Sequence, residues 1–182
     1  MKDMVEKTDH ELIYGAQGGD RASFSMLVER HYRFMFKVAW QWCGTKEDAE
    51  DIAQEAAIKM ARYMSDFRFE SAFTTWLYRL VINTAKDFYK AKNRKSAREG
   101  ALYEDVEYVS PDLTPEQKMM HKDVLKAIAA LPEKQRAAVL MHKYEEMEYS
   151  QIAKVLNCSE SAVKSLLFRA YEALRARLAH MA

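Results

Sequence analysis

Ser161, Lys164, Ser165, Phe168 and Arg169 fall one helical turn apart along SESAVKSLLFRAYEALRARLA, residues 159–179. That spacing sets them on one face of a helix, with Val163, Leu166 or Leu167, Ala170 and Leu174 on the other. Lys and Arg side chains bond guanine edges or phosphates, and Ser bonds either. Arg175 and Arg177 extend the positive charge. Just before lies YSQIAKVL, with Ile152, Ala153 and Leu156 turned inward, and only Asn157 and Cys158 separate the two segments. A short helix, a tight turn and a longer helix predict a helix-turn-helix, whose second helix enters the major groove of DNA. Asn157 suits the turn because Asn tolerates positive φ. The same periodicity also fits a plain helical hairpin with a solvated outer face.

A second stretch mixes rings with cations. WLYRLVINTAKDFYKAKNRK, residues 76–95, holds Trp76, Tyr78, Phe88 and Tyr89 beside Arg79, Lys86, Lys90, Lys92, Arg94 and Lys95. Its apolar face reads Leu77, Leu80, Val81, Thr84, Phe88 and Ala91; its polar face reads Arg79, Asn83, Lys86, Asp87, Lys90 and Arg94. Catalysis has no sequence support: there is no nucleophile–base set and no phosphate loop, so neither an enzyme nor a catalytic residue is expected. The five histidines are scattered away from any metal-ligand spacing, so no metal site and no cofactor is expected.

The elements that position these residues are helical. Gly (five) and Pro (three) are scarce, while Ala, Leu, Lys, Glu, Met and Arg dominate, which favours helices over strands. Four helices are expected first: Asp9–Gln17; Asp20–Trp42, with Phe24, Leu27, Val28, His31, Phe34 or Met35, and Val38 inward; a third opening at Thr45 with the stripe Ala49, Ile52, Ala56 and Met60; and a fourth from Ser71 or Ala72 to about Lys92. After SPDLTP come four more: 114–131, 132–146, and the pair described above. The fold class is therefore all-α. Two small helical domains, 1–95 and 114–182, are joined by a flexible acidic linker, 96–113.

Net charge is only +1, and its distribution matters more than its sum. Residues 1–99 hold 17 basic and 15 acidic side chains; residues 100–116 hold five acids and no base; residues 117–182 hold 11 basic and seven acidic. Two mildly basic blocks flank an acidic bridge. Cys43 and Cys158 lie in different blocks, which predicts reduced thiols and a cytoplasmic home. MKDMVEKTDH has no signal-peptide core, and no apolar run reaches the roughly 18 residues that span a membrane.

Taken together, DFRFESAFTTWLYRLVINTAKDFYKAKNR and LPEKQRAAVLMHKYEEMEYSQIAKVLNCSESAVKSLLFRAYEALR, in this order and with this short linker, resemble bacterial sigma factors of the extracytoplasmic-function group. SAFTTWLYRLVINTAK resembles especially the envelope-stress members. The resemblance covers about residues 9–94 and 114–178. It implies a transcription initiation factor that binds core RNA polymerase, melts and reads the −10 promoter element with its first domain, and reads −35 duplex with its second. An anti-sigma factor is the implied regulator. Within EDAEDIAQEAAIK, Asp48, Asp51, Gln54 and Glu55 would meet the polymerase clamp helices. Phe67, Ser71, Phe73 and Asn83 would form the pocket for a flipped −10 base, with Tyr78, Arg79, Lys86 and Lys90 along the strand. Trp76 and Phe88 would be core. Ser161, Lys164, Ser165, Phe168 and Arg169 would read −35 DNA.

Some positions depart from the family pattern. Leu166 stands where many members carry Arg, Glu146 where Gly often ends the preceding helix, and Glu148 where Ser or Thr often caps the next. The acidic linker would thread near the polymerase cleft, or act as a solvated tether. The main rival is a stand-alone helix-turn-helix regulator, which would bind duplex DNA without polymerase. A second rival is an adaptor that sequesters a partner through Met-rich faces, though the eleven methionines suit core filling.

Overall fold

The computed structural model describes residues 7–99 and 114–179. These residues are helical, without a strand, and fall into two compact units: 7–39 with 47–99, and 40–46 with 114–179.

The first unit opens with α1, Asp9–Gln17. Thr8 and Glu11 form a reciprocal cap: Glu11 N–H donates to Thr8 Oγ1 at 3.3 Å, and Thr8 N–H donates to Glu11 Oε2 at 2.8 Å. The Thr8 backbone N–H holds the Glu11 carboxyl below the usual glutamate range. Gly19, at φ +88°, turns the chain into α2, Arg21–Cys43. Asp20 caps that helix, accepting from Ser23 Oγ at 2.6 Å and Ala22 N–H at 3.0 Å. Gly15 lets α1 approach closely, since a Cβ there would lie 2.5 Å from Ser23 Oγ. Along α2 the buried residues include Leu27, His31, Met35 and Val38, so Met35 rather than Phe34 points inward, while Phe24 and Val28, expected inward, are half-buried.

Helix α3, Lys46–Tyr63, buries the expected stripe Ala49, Ile52, Ala56 and Met60 completely. A 3₁₀ turn, Met64–Asp66, follows, and then α4, Phe73–Glu99. Lys59 Nζ meets Asp87 Oδ2 at 2.9 Å, and Lys92 meets Asp48, so two ion pairs link α3 to α4. Helix α4 continues past the expected end near Lys92, so residues 96–99 are helix rather than linker. Residues 100–113, with Glu104, Asp105, Glu107 and Asp112 of the acidic bridge, lie outside the described residues, and its fifth acid, Glu116, stands in the first turn of the next helix.

The second unit carries α5 (Pro115–Ala129), α6 (Glu133–Tyr144), α7 (Tyr149–Leu156) and α8 (Glu160–Arg177). Its core includes Leu140, Met141, Ile152, Val163, Leu167 and Ala170. Two residues without a glycine's freedom adopt left-handed backbone: Glu146, at φ 50°, between α6 and α7, and Asn157, at φ 50° and ψ 56°, between α7 and α8. Beyond Asn157, Cys158 N–H closes on Ala153 O at 3.0 Å, and Ser159 Oγ caps α8 by accepting from Ala162 N–H at 3.1 Å. Glu148 opens α7 with Gln151 Oε1 accepting its N–H at 2.8 Å.

Candidate nucleic-acid interface

Helix α8 separates its two faces cleanly. Val163, Leu167, Ala170 and Leu174 are buried, and Ser161, Lys164, Ser165, Phe168 and Arg169 are all exposed. Leu167 is the inward residue of its pair, and Leu166 is half-buried. Phe168 is 68 % exposed, a large ring with no core to serve. Ser165 donates its hydroxyl proton to Ser161 O at 3.1 Å, which leaves the oxygen as an acceptor. Lys164 Nζ hangs 6.0 Å from the Tyr149 ring centroid, at the outer limit of a cation–π contact. Behind it, His142 Nδ1 and Tyr171 OH lie 3.1 Å apart, and burial pushes the Tyr171 hydroxyl pKa up. Lys164 and Tyr149 also share an open hollow with Glu146, Glu148 and Glu160, so acid flanks the basic face.

In the first unit the loop between the 3₁₀ turn and α4 is built from rings. Phe67 and Phe73 are buried and meet edge to face at 5.5 Å, and Trp76 stacks on Phe73 at 5.6 Å. His31 packs edge-on against Phe73 at 5.1 Å. Its Nε2 lies 2.8 Å from Asp9 Oδ2; a carboxylate only accepts, so Nε2 carries the proton. Arg30 completes that group by donating to Asp9 Oδ1 at 2.7 Å. Gln17 Nε2 donates to Phe67 O at 2.8 Å and to Met64 O at 3.1 Å, tying the loop to α1.

Ser71 is half-buried just before α4, and Arg79, Asn83 and Lys90 are exposed along it, with Lys86 half-buried. These four continue the stripe that begins at Trp76, and Asn83 lies about two helical turns beyond it. Three ring assignments on α4 are corrected. Tyr78 is 0 % exposed, packed inward with Leu77, Val81 and Ile82, so its ring cannot lie along a strand. Trp76 and Phe88, both expected in the core, are half-buried, and Trp76 belongs to the aromatic group beside the loop.

The acidic face of α3 also divides. Asp51, Gln54 and Glu55 are exposed together with Ile58, which is 56 % exposed. Asp48 is buried and bound to Lys92, so it braces the helix pair instead of facing a partner. His31 is buried as its place on the apolar stripe of α2 predicts, whereas no local pattern points to Gln17 as the tie to the loop or to Tyr14 and Phe69 as its ring neighbours. Among the described residues no His, Cys, Asp or Glu group could hold a metal, and no helix is long and apolar enough to cross a membrane.

Comparison with known proteins accounts for both halves. Residues 27–95 match the family model for Sigma-70 region 2, and residues 121–174 the model for Sigma-70 region 4. The chain is 34 % identical to the RNA polymerase sigma-H factor of Pseudomonas aeruginosa, over 94 % of each chain. It is 33 % identical to the ECF RNA polymerase sigma-E factor of Haemophilus influenzae, over 94 % of this chain and 95 % of that one. Its fold resembles that of the sigma factor RpoE from Bartonella quintana, solved with the anti-sigma factor NepR, at a TM-score of 0.69, 21 % identity, and coverage of 85 % and 96 %. With both sigma regions matched in order and these relatives covered over nearly their whole length, the chain belongs to the sigma-70 family of RNA polymerase sigma factors, in its extracytoplasmic-function group.

Proposed function

We propose that this transcription initiation factor reads −35 duplex through Ser161, Lys164, Ser165, Phe168 and Arg169 on α8. We further propose that it captures an unpaired −10 base against the loop that buried Phe67 and Phe73 pack from beneath, with half-buried Ser71 and Trp76 and exposed Asn83 meeting the base. The observation that carries this reading is the exposure of all five α8 side chains opposite a fully apolar face. Lys164 and Arg169 supply phosphate or guanine contacts, and Phe168 offers an apolar surface to a thymine methyl. Around the loop, Arg79, Lys86 and Lys90 follow the strand's phosphates. Base–aromatic stacking is worth roughly 1–3 kcal/mol per base, comparable to the few kcal/mol needed to flip one. Capture of a transiently open base therefore needs no ATP.

Asp51, Gln54 and Glu55 face the polymerase, with Ile58 as an apolar neighbour. The factor works in the cytoplasm, where the polymerase is, and is held inactive by an anti-sigma factor until a stress signal releases it. Support for that control comes from the similar fold solved with NepR. Run-off transcription by core polymerase plus the full chain, on a randomised promoter library, tests the reading. Enrichment of a paired −35 and −10 motif supports it, and transcription indifferent to both sinks it.

A further inference from the structure

Beside the Phe67–Phe73 loop lies a ring stack that the proposed base pocket does not use. Tyr14 of α1 and Phe69 stack nearly parallel, centroids 5.0 Å apart and planes 21° apart, and Tyr14 remains 57 % exposed. His10 sits 4.7 Å from both rings. Phe69 in turn touches Phe67 at 4.9 Å, so the stack is continuous with the rings of the pocket.

Phe69 holds this place at a cost. Its φ is +58°, a left-handed conformation that a bulky residue avoids and a glycine adopts freely. The fold needs the turn, not the ring. Strained backbone of this kind persists where the surroundings over-determine it and clusters at binding sites. Gln17 supplies that restraint by tying the loop to α1. Arg68, between the two phenylalanines in sequence, is exposed, so a cation is carried one residue from Phe69. Acids are also near: Glu70 is exposed, while Glu11 is engaged with Thr8.

We propose that Tyr14 and Phe69 form a stacking platform for a second unpaired base of the melted promoter strand, adjacent to the captured −10 base. A flat, nearly parallel and partly exposed pair extends by one more flat ring, and a cation one residue away in sequence suits the phosphate that accompanies a base. Because every base has a π-face, the platform adds affinity without choosing sequence. The proposal rests on the loop being the −10 site.

The test uses holoenzyme assembled from core polymerase and the full chain. The probe is fork-junction DNA from a promoter selected by run-off, with an abasic site stepped through its unpaired strand. Tyr14→Ala is expected to weaken binding about 5- to 30-fold. Phe69→Gly, which keeps the backbone and removes the ring, is expected to do the same. Both losses should vanish when the base at one particular position is missing, because the cycle then has nothing left to lose. A loss equal at every abasic position, a loss below about twofold on a scale where stacking gives more, or a loss traced to polymerase affinity overturns the platform. Asn83→Ala on the same DNA set separates the two ideas. If it couples to one position while Tyr14→Ala couples to none, the platform fails alone; coupling of Tyr14 without Asn83 overturns the pocket and leaves the platform.

Discussion

Asp48 and Lys92 are joined by a two-oxygen ion pair: Lys92 Nζ lies 2.8 Å from Oδ1 and 2.7 Å from Oδ2, and the Tyr89 hydroxyl donates to Oδ2 at 3.3 Å. This fastens the first turn of α3 to α4. The acid is mostly buried and the lysine half exposed, so solvent screens the pair and its worth is about 1 kcal/mol.

Asp48→Ala is therefore expected to lower stability by about 1 kcal/mol, read as a drop of a few degrees in Tm. Its core-polymerase affinity should stay close to that of the wild type. Glu55→Lys and Asp51→Lys should do the reverse, leaving Tm unchanged and weakening polymerase binding about tenfold or more. Titration of labelled protein with core polymerase checks both halves.

Lys164→Ala is expected to reduce dependence on the −35 element. It should also flatten the salt dependence of promoter binding by about one unit of slope, because one phosphate contact is lost. Arg175→Ala, further along the helix, should lower affinity without changing which −35 sequence is preferred. Binding measured across a salt series on matched and scrambled −35 duplexes distinguishes a base contact from a phosphate contact.

Asn83→Ala should relax −10 base choice more than it lowers polymerase affinity. Run-off on promoters carrying each base at the captured position reads this directly. Equal discrimination by wild type and variant would remove Asn83 from the pocket.

Glu146 and Asn157 both hold left-handed backbone, and they offer a test of the second unit that touches no proposed contact. Glu146→Gly should stabilise by about 0.5–1 kcal/mol by relieving the Cβ clash, and Asn157→Val should destabilise by about 1–2 kcal/mol. Thermal melts of the full chain, monitored by circular dichroism, give both signs.

Local pattern made most of this fold legible. Asp9–Gln17 and Tyr149–Leu156 end where capping and periodicity place them, and the Ala49–Met60 stripe is buried throughout. Asn157 was readable because a two-residue turn demands positive φ of one member. The failures are tertiary. Tyr78 follows Leu77 on a helix buried over a wide arc, and ring chemistry alone does not reveal which of Trp76 and Tyr78 faces inward. Asp48 at a helix start looks like an ordinary complement to the dipole; its partner stands 44 positions away. The Tyr14–Phe69 stack joins α1 to a loop beyond α3, and nothing local couples them. Residues 96–99 lack an apolar stripe, so helix propensity and continuation from α4 carry them.

We propose that one chain reads two promoter elements for the polymerase. The most direct measurement of this is run-off transcription by core polymerase with the full chain, on templates in which the −35 and −10 elements are scrambled separately. Specific transcripts are expected only with the chain present, with a sharp loss when either element is scrambled and −35 dependence that Lys164→Ala selectively weakens. Failure of the chain to bind core polymerase, or binding to duplex DNA with full specificity in its absence, would contradict it.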